Sequence, residues 1–227
     1  MQLFLDTASL SDVERFAPLG VIDGVTTNPA LLAREDGDPV AQLRAIAQRV
    51  HGPVSAQVTH GDAKAMAAQG RALAAIAPNV VVKIPAVRGG LEAARVLAAE
   101  HIAVNVTLAF DPAQVVAFAR VPVAYLSLIY ARTEDFGARE IERIASARRI
   151  LDRMRSPTRL LVASVRNPKH LCDAIEGGAD AITVPPSTWD LVFDHPFTAR
   201  GLDDFGRSWG ALPEPRRRTY DALGDDA

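Results

Sequence analysis

The chain has 227 residues, enough for one large α/β domain or two small ones with a substantial core. A formal net charge of -2 gives no electrostatic reason to expect nucleic acid or an anionic membrane surface as a partner. The single cysteine, Cys172, rules out a disulfide within the chain and fits a reducing cytoplasm, where it is expected as a small buried helix residue.

The opening MQLFLDTASL lacks the positive segment and long apolar core of a signal peptide, and no apolar run approaches the ~20 residues of a membrane span. The expectation is a cytoplasmic protein with neither membrane nor nucleic-acid partner. Strand-like runs then follow in order: QLFLDT (2–7), GVTTN (24–28), PVSAQV (53–58) and VVVKIP (80–85). The second half adds IAVNVTL (102–108), VAYLSLI (123–129), RLLVASV (159–165) and DAITVP (180–185). Between them lie alanine-rich, charge-dotted stretches such as AKAMAAQGRALAAIA, with apolar residues at helical spacing.

This alternation predicts a single (β/α)8 TIM barrel over residues 1–210, with TARGLDDFGRSW as an additional C-terminal helix. Residues 211–227 read as a polar tail or a subunit-contacting arm. A doubly wound open sheet is the alternative; the missing G-x-G-x-x-G turn after the first strand argues against it.

In such a barrel the chemistry collects at the carboxyl ends of the strands. Polar residues fall there: Asp6, Thr26, Asn28, Gln57, Lys83, Asn105, Thr107, Arg132, Ser164 and Arg166. Several have bland explanations. Thr26 and Asn28 suit a turn before Pro29, and Arg132 suits a solvated surface. Lys83 is harder to explain, because it is one of only three lysines and stands among Val82, Ile84 and Pro85. Its structural alternative is a buried ion pair with Asp6. Its chemical reading is an amine whose pKa is lowered by its apolar flanks, so that it attacks a ketone and forms an imine. Asp6 then serves as acid/base for the substrate hydroxyl, and Thr107 with Gln57 holds a water. Arg132, Ser164 and Arg166 form a phosphate clamp.

The segments LFLDTASL, GVTTNPALL, VSAQV, VVVKIPA, GGLEAARVLAAEHIAVNVTLAF, VASVRNP and GADAITVPP resemble the transaldolase family. The similarity is to its short bacterial and archaeal branch, which includes fructose-6-phosphate aldolases, and it covers residues 1 to about 210. The resemblance implies a (β/α)8 barrel, no metal or organic cofactor, sugar-phosphate substrates and a homo-oligomer, decameric or pentameric. It places Lys83 on the Schiff-base lysine, Asp6 on the acid/base, and Thr107 on the residue that orients the catalytic water. Thr26, Asn28 and Asn105 fall on donor-binding positions, and Arg132 and Ser164 on phosphate-binding ones, with Arg166 replacing a common lysine.

Two departures stand out. Gln57 is aldolase-like where transaldolases carry glutamate, and Ile129 replaces the phenylalanine or tyrosine of either branch. Ile129 and Val87 are expected to make the pocket less polar. The implied reaction is transfer of a dihydroxyacetone unit between sugar phosphates, as in the pentose phosphate pathway; the alternative is release of free dihydroxyacetone. A divergent aldolase with another donor, or a non-catalytic barrel scaffold, are the remaining readings.

Overall fold

The computed structural model describes residues 1–135, 137 and 140–223. Eight strands, β1 (Gln2–Asp6), β2 (Gly24–Thr26), β3 (Val54–Gln57), β4 (Val80–Pro85), β5 (Val104–Ala109), β6 (Tyr125–Ile129), β7 (Arg159–Ala163) and β8 (Ala181–Val184), alternate with helices. They pair in parallel, each with the next, and β1 pairs with β8 to close the barrel. Closure removes both sheet edges and excludes the doubly wound alternative.

The helices are α1 (Leu10–Phe16), α2 (Pro29–Leu32), α3 (Pro39–Arg49), α4 (Ala63–Ala74), α5 (Arg88–Ala99) and α6 (Pro112–Phe118). They continue with α7 (Ala131–Glu134), α8 (Glu140–Arg153), α9 (Pro168–Glu176), α10 (Pro186–Phe193), α11 (Pro196–Gly210) and α12 (Glu214–Asp221). Local sequence chemistry sets their starts. Asp38, Asn28, Asp111 and Asn167 each cap a helix with a side-chain oxygen, and a proline follows directly. That order suits both positions: the cap accepts an orphan N–H, and proline has none to lose.

Period-two alternation along the strands divides the residues between two environments. Leu5, Val25, Val82, Ile84, Val104, Val106, Leu126, Leu160, Val162 and Ile182 are all buried, and they alternate with the residues that fill the interior. Inside, Phe4, Val81, Tyr125, Leu161 and Ala181 pack as one apolar cluster. Two residues further along the same strands come Asp6, Lys83, Ser127, Ala163 and Thr183, which line a cavity. The barrel thus has an apolar floor beneath a mostly polar upper layer.

Cys172 is exposed, contrary to expectation. The buried residues of α9 are His170 and Ala174, one helical turn apart, and Cys172 lies between them on the other face. By internal contacts the chain forms two compact units, Met1–Trp189 and a second beginning at Asp190. Within the second unit, the Trp209 indole N–H donates to Asp221 at 2.8 Å, and the Trp209 and Tyr220 rings lie 5.0 Å apart. No helix among the described residues is long and apolar enough to cross a membrane.

Gly24 shows how tightly the floor is filled. A Cβ there would come within 2.4 Å of the Pro53 carbonyl oxygen and 2.8 Å of the Phe4 ring. Phe4 in turn packs edge-on against Tyr125 at 5.5 Å. Gly24→Ala should therefore overpack the floor and cost about 1–3 kcal/mol. Thermal unfolding checks this, with Tm expected to fall by roughly 2–4 °C per kcal/mol. Gly61→Ala, where a Cβ meets nothing within 4 Å, should leave Tm nearly unchanged.

Candidate active site

The cavity at the carboxyl ends of the strands has a volume of about 370 Å³. It brings together Asp6, Thr26, Asn28, Gln57, Lys83 and Thr107, with Arg132 and Ser164 also on its wall. Asn105 and Arg166 are not among the lining residues.

Parallel register explains the central group. Gln57 pairs with Lys83 and Lys83 with Asn105, so three polar side chains project from one level of β3, β4 and β5. The apolar neighbours of Lys83 in sequence do not form its pocket. Val82 and Ile84 occupy alternate positions of the pleat and face away from the cavity side. What desolvates Lys83 is the barrel interior itself, where the residue is 6% exposed. Its Nζ donates to the Thr27 carbonyl oxygen at 3.0 Å.

Burial holds the Lys83 amine below the ordinary lysine range, although the charge of Asp6 pulls it back up. Burial likewise pushes the Asp6 carboxyl above the usual carboxylate range, opposed by the Lys83 charge and by a hydrogen bond from Thr26. The two groups act on each other through their charges, but desolvation outweighs that attraction for both. Thr26 Oγ1 donates to Asp6 Oδ1 at 2.8 Å and lies 2.6 Å from Thr183 Oγ1. With Asp6 ionised, the single Thr26 proton goes to the carboxylate, so Thr183 donates to Thr26.

Asn105 lies under the cavity and is fully buried. Its amide donates to Ser55 Oγ at 3.1 Å, and its Oδ1 accepts from Ser127 Oγ at 2.7 Å. It therefore orients Ser127, which does line the cavity. Ser127 and Thr183 escaped the sequence reading, although each lies two residues beyond an inward-facing floor residue, Tyr125 and Ala181. The carbonyl of Thr27 is invisible to side-chain reasoning altogether.

The rim is built from irregular backbone. A register shift between Val106 and Ala109 sets two residues, Thr107 and Leu108, opposite the single Ser127. Leu108 adopts φ 58°, and both it and Thr107 line the cavity. Ser164 also has positive φ, at 66°. Asn28 Oδ1 caps α2 by accepting from the Leu31 N–H at 3.0 Å, which leaves its amide nitrogen for the cavity.

Arg132, on α7, has no ion-pair partner among the described residues. Arg166 is engaged instead by Asp135, at 2.8 and 3.1 Å. Of the three residues expected from sequence as a phosphate clamp, Arg132 and Ser164 line the cavity and Arg166 does not. Ile129 lines the cavity, whereas Val87 lies outside it at the N-cap of α5. Tyr130 is buried on the other side of the strand, where its hydroxyl donates to Asp173 at 2.6 Å. Among the described residues, no three His, Cys, Asp or Glu side chains cluster as metal ligands would.

The chain matches the family model described as Transaldolase/Fructose-6-phosphate aldolase over residues 3–214. It is 43% identical to a probable transaldolase of Caulobacter sp. (strain K31) over 209 residues, 92% of this chain and 96% of that protein. A probable transaldolase of Lactiplantibacillus plantarum is 42% identical over 212 residues, 93% of this chain and 98% of the other. A crystal structure of a putative fructose-1,6-biphosphate aldolase from Coccidioides immitis superposes with TM-score 0.57 at 14% identity. That match covers 95% of this chain and 81% of the other, and it speaks for the fold alone. The chain belongs to the transaldolase/fructose-6-phosphate aldolase family and is an enzyme of the transaldolase/aldolase type.

Proposed function

We propose that this protein is a cytoplasmic Schiff-base enzyme that transfers a dihydroxyacetone unit between sugar phosphates. The observation that carries the reading is the buried Lys83 amine, lowered in pKa, in one cavity with Asp6 and Thr107 and with Arg132 at its wall.

Neutral Lys83 attacks the C2 carbonyl of a ketose phosphate. The carbinolamine loses water, leaving a protonated imine. Asp6 then takes the C4 hydroxyl proton, the C3–C4 bond breaks, and the aldose phosphate departs. The electron pair of that bond becomes an enamine conjugated to the imine nitrogen. Arg132 offers a planar fork to the phosphate and Ser164 a hydroxyl. Thr26 supports the Asp6 carboxylate, and the Asn28 amide reaches the donor hydroxyls. Thr107 and Gln57 hold the water lost and regained at the imine carbon, while Asn105 aligns Ser127.

In transfer, the enamine attacks an acceptor aldehyde before the imine is hydrolysed. Gln57 favours a second reading by its likeness to the aldolase branch: the enamine is protonated at carbon, water adds to the resulting imine, and free dihydroxyacetone leaves the Lys83 amine. An amide does not take a proton at neutral pH, so the water beside Gln57 lacks a base from that residue. The assembly is a homo-oligomer, decameric or pentameric. Its support is the resemblance and the exposed apolar stripe Leu202, Phe205 and Trp209 on α11.

Incubation with fructose 6-phosphate or dihydroxyacetone followed by borohydride should add mass at Lys83, and Lys83→Arg should abolish the adduct. If no small ketone leaves an adduct, the Schiff-base reading is wrong. With erythrose 4-phosphate present, sedoheptulose 7-phosphate marks transfer and free dihydroxyacetone marks cleavage.

The pH dependence has a definite sign. Imine formation needs the neutral amine, so the trapping rate should rise with pH through a midpoint below the ordinary lysine range. The Asp6 charge raises the Lys83 pKa, so Asp6→Asn should move that midpoint to lower pH. A midpoint that stays put would show the two groups to be uncoupled.

Light scattering on the purified protein should report a particle several times the 24.3 kDa chain. Phe205→Glu, at a position 73% exposed, should shift it toward smaller species while the barrel stays folded.

A further inference from the structure

Behind the cavity wall lies a polar cluster that the reaction scheme does not use. Its centre is His170 of α9, which is 3% exposed. The ring touches both turns that carry the proposed phosphate-binding side chains. His170 Nε2 lies 2.7 Å from Glu134 Oε2, and Glu134 shares the short helix α7 with Arg132. His170 Nδ1 accepts from the backbone N–H of Arg166, two residues beyond Ser164, at 3.2 Å. The Tyr130 ring packs on the imidazole with centroids 4.5 Å apart.

These contacts select one form of the ring. The Asn167 side-chain oxygen accepts from the His170 N–H at 3.0 Å, which turns the Asn167 amide nitrogen toward Nε2 at 2.9 Å. A proton on Nδ1 would leave the Arg166 N–H facing another donor and the Glu134 carboxylate facing a lone pair. The imidazolium would also lose the Arg166 bond. The neutral ring with its proton on Nε2 satisfies both Arg166 and Glu134 and leaves one mismatch, the Asn167 amide facing the Nε2 proton, whereas each other form leaves two. The same two turns are joined by the Ala131 N–H donating to the Ser164 carbonyl at 3.2 Å and by the Arg166–Asp135 pair. Ser164 is held meanwhile in a left-handed conformation, φ 66°, that serine does not favour.

We propose that His170 is the positioning residue of an anion-binding rim, its neutral imidazole locking the Arg132 turn to the Ser164 turn. The proposal rests on the reading above that this rim takes the substrate phosphate. His170 touches no reacting atom. It acts by fixing the spacing between a guanidinium and a hydroxyl that must meet one phosphate together, which makes it a determinant of affinity for phosphorylated substrates rather than of imine chemistry.

The test separates these effects. His170→Phe keeps an aromatic ring but removes both hydrogen bonds. Each lost bond near a charged group weakens binding by about tenfold, so the KM for fructose 6-phosphate should rise by about tenfold or more. Borohydride trapping with unphosphorylated dihydroxyacetone should remain at the wild-type rate. His170→Asn, which can keep the acceptor for Arg166, and His170→Gln, which can keep the donor to Glu134, should each recover part of the loss. A general fall in kcat and trapping with unchanged KM would mark His170 as merely structural and overturn the proposal.

Calorimetry with inorganic phosphate gives an arm independent of turnover. Wild-type protein should bind phosphate, and His170→Phe should weaken that binding, with Arg132→Ala as the reference for a lost ligand. If trapping fails but this pattern holds, the Schiff-base reading falls while the rim stands. Equal phosphate affinity in wild type and His170→Phe, or no binding by the wild type, overturns the proposal. Should His170→Phe not fold, the Asn and Gln variants and the imidazole nitrogen signals of the wild type decide. A protonated Nδ1 would then refute it.

Discussion

The parallel register of β3, β4 and β5 is the constraint on which the site depends. It sets Gln57, Lys83 and Asn105 at one level inside a closed barrel, above a floor of Phe4, Val81, Tyr125, Leu161 and Ala181. Slipping one strand by a single residue would turn each of its side chains to the opposite face. An ammonium in that position loses hydration worth several kcal/mol and recovers only part of it. One carbonyl, that of Thr27, and one carboxylate, that of Asp6, are what the barrel offers in return. Desolvation wins, and the amine sits below its ordinary range. The same inward geometry that makes Lys83 expensive to bury shifts its amine toward the neutral form.

Rigidity below and irregularity above are two halves of one arrangement. The floor is filled so closely that Gly24 leaves room for Phe4 and nothing more. Over it the backbone departs from regular strand at Leu108 and Ser164, both left-handed. Conformations of this kind cost on the order of 1–3 kcal/mol each, and they persist only where the surroundings hold them. At Leu108 the bulge in β5 does so; at Ser164 the holding groups are the Ala131 N–H and, through Arg166, the buried imidazole of His170.

Much of this was legible in the chain. Eight β-rich runs separated by alanine-rich helices predict the barrel because side-chain periodicity is local and survives without tertiary context. The strand-end rule then picks out Asp6, Thr26, Gln57, Lys83 and Thr107, all of which line the cavity. Legibility failed where a residue's role depends on what another strand presents. Ser127 and Thr183 look like ordinary strand hydroxyls until Asn105 and Thr26 are placed beside them. Asn105 looks like a ligand until it proves to be buried behind Ser127, off the cavity wall. Arg166 looks like a second phosphate cation until Asp135, 31 positions earlier, takes it up.

The sequence by itself determined the fold class and the family, and it singled out Lys83. The first follows from periodicity, the second from the resemblance of its strand-end motifs, and the third from a lysine that has little structural use where it stands. Only the tertiary structure decided why that lysine is perturbed. The explanation by its flanking valine and isoleucine was wrong, because consecutive strand residues face opposite sides of the sheet and cannot enclose one another's side chains. The medium around Lys83 comes instead from strands distant in the chain, brought level with it by closure of the barrel. Burial is a property of the closed sheet, and no stretch of six residues contains it.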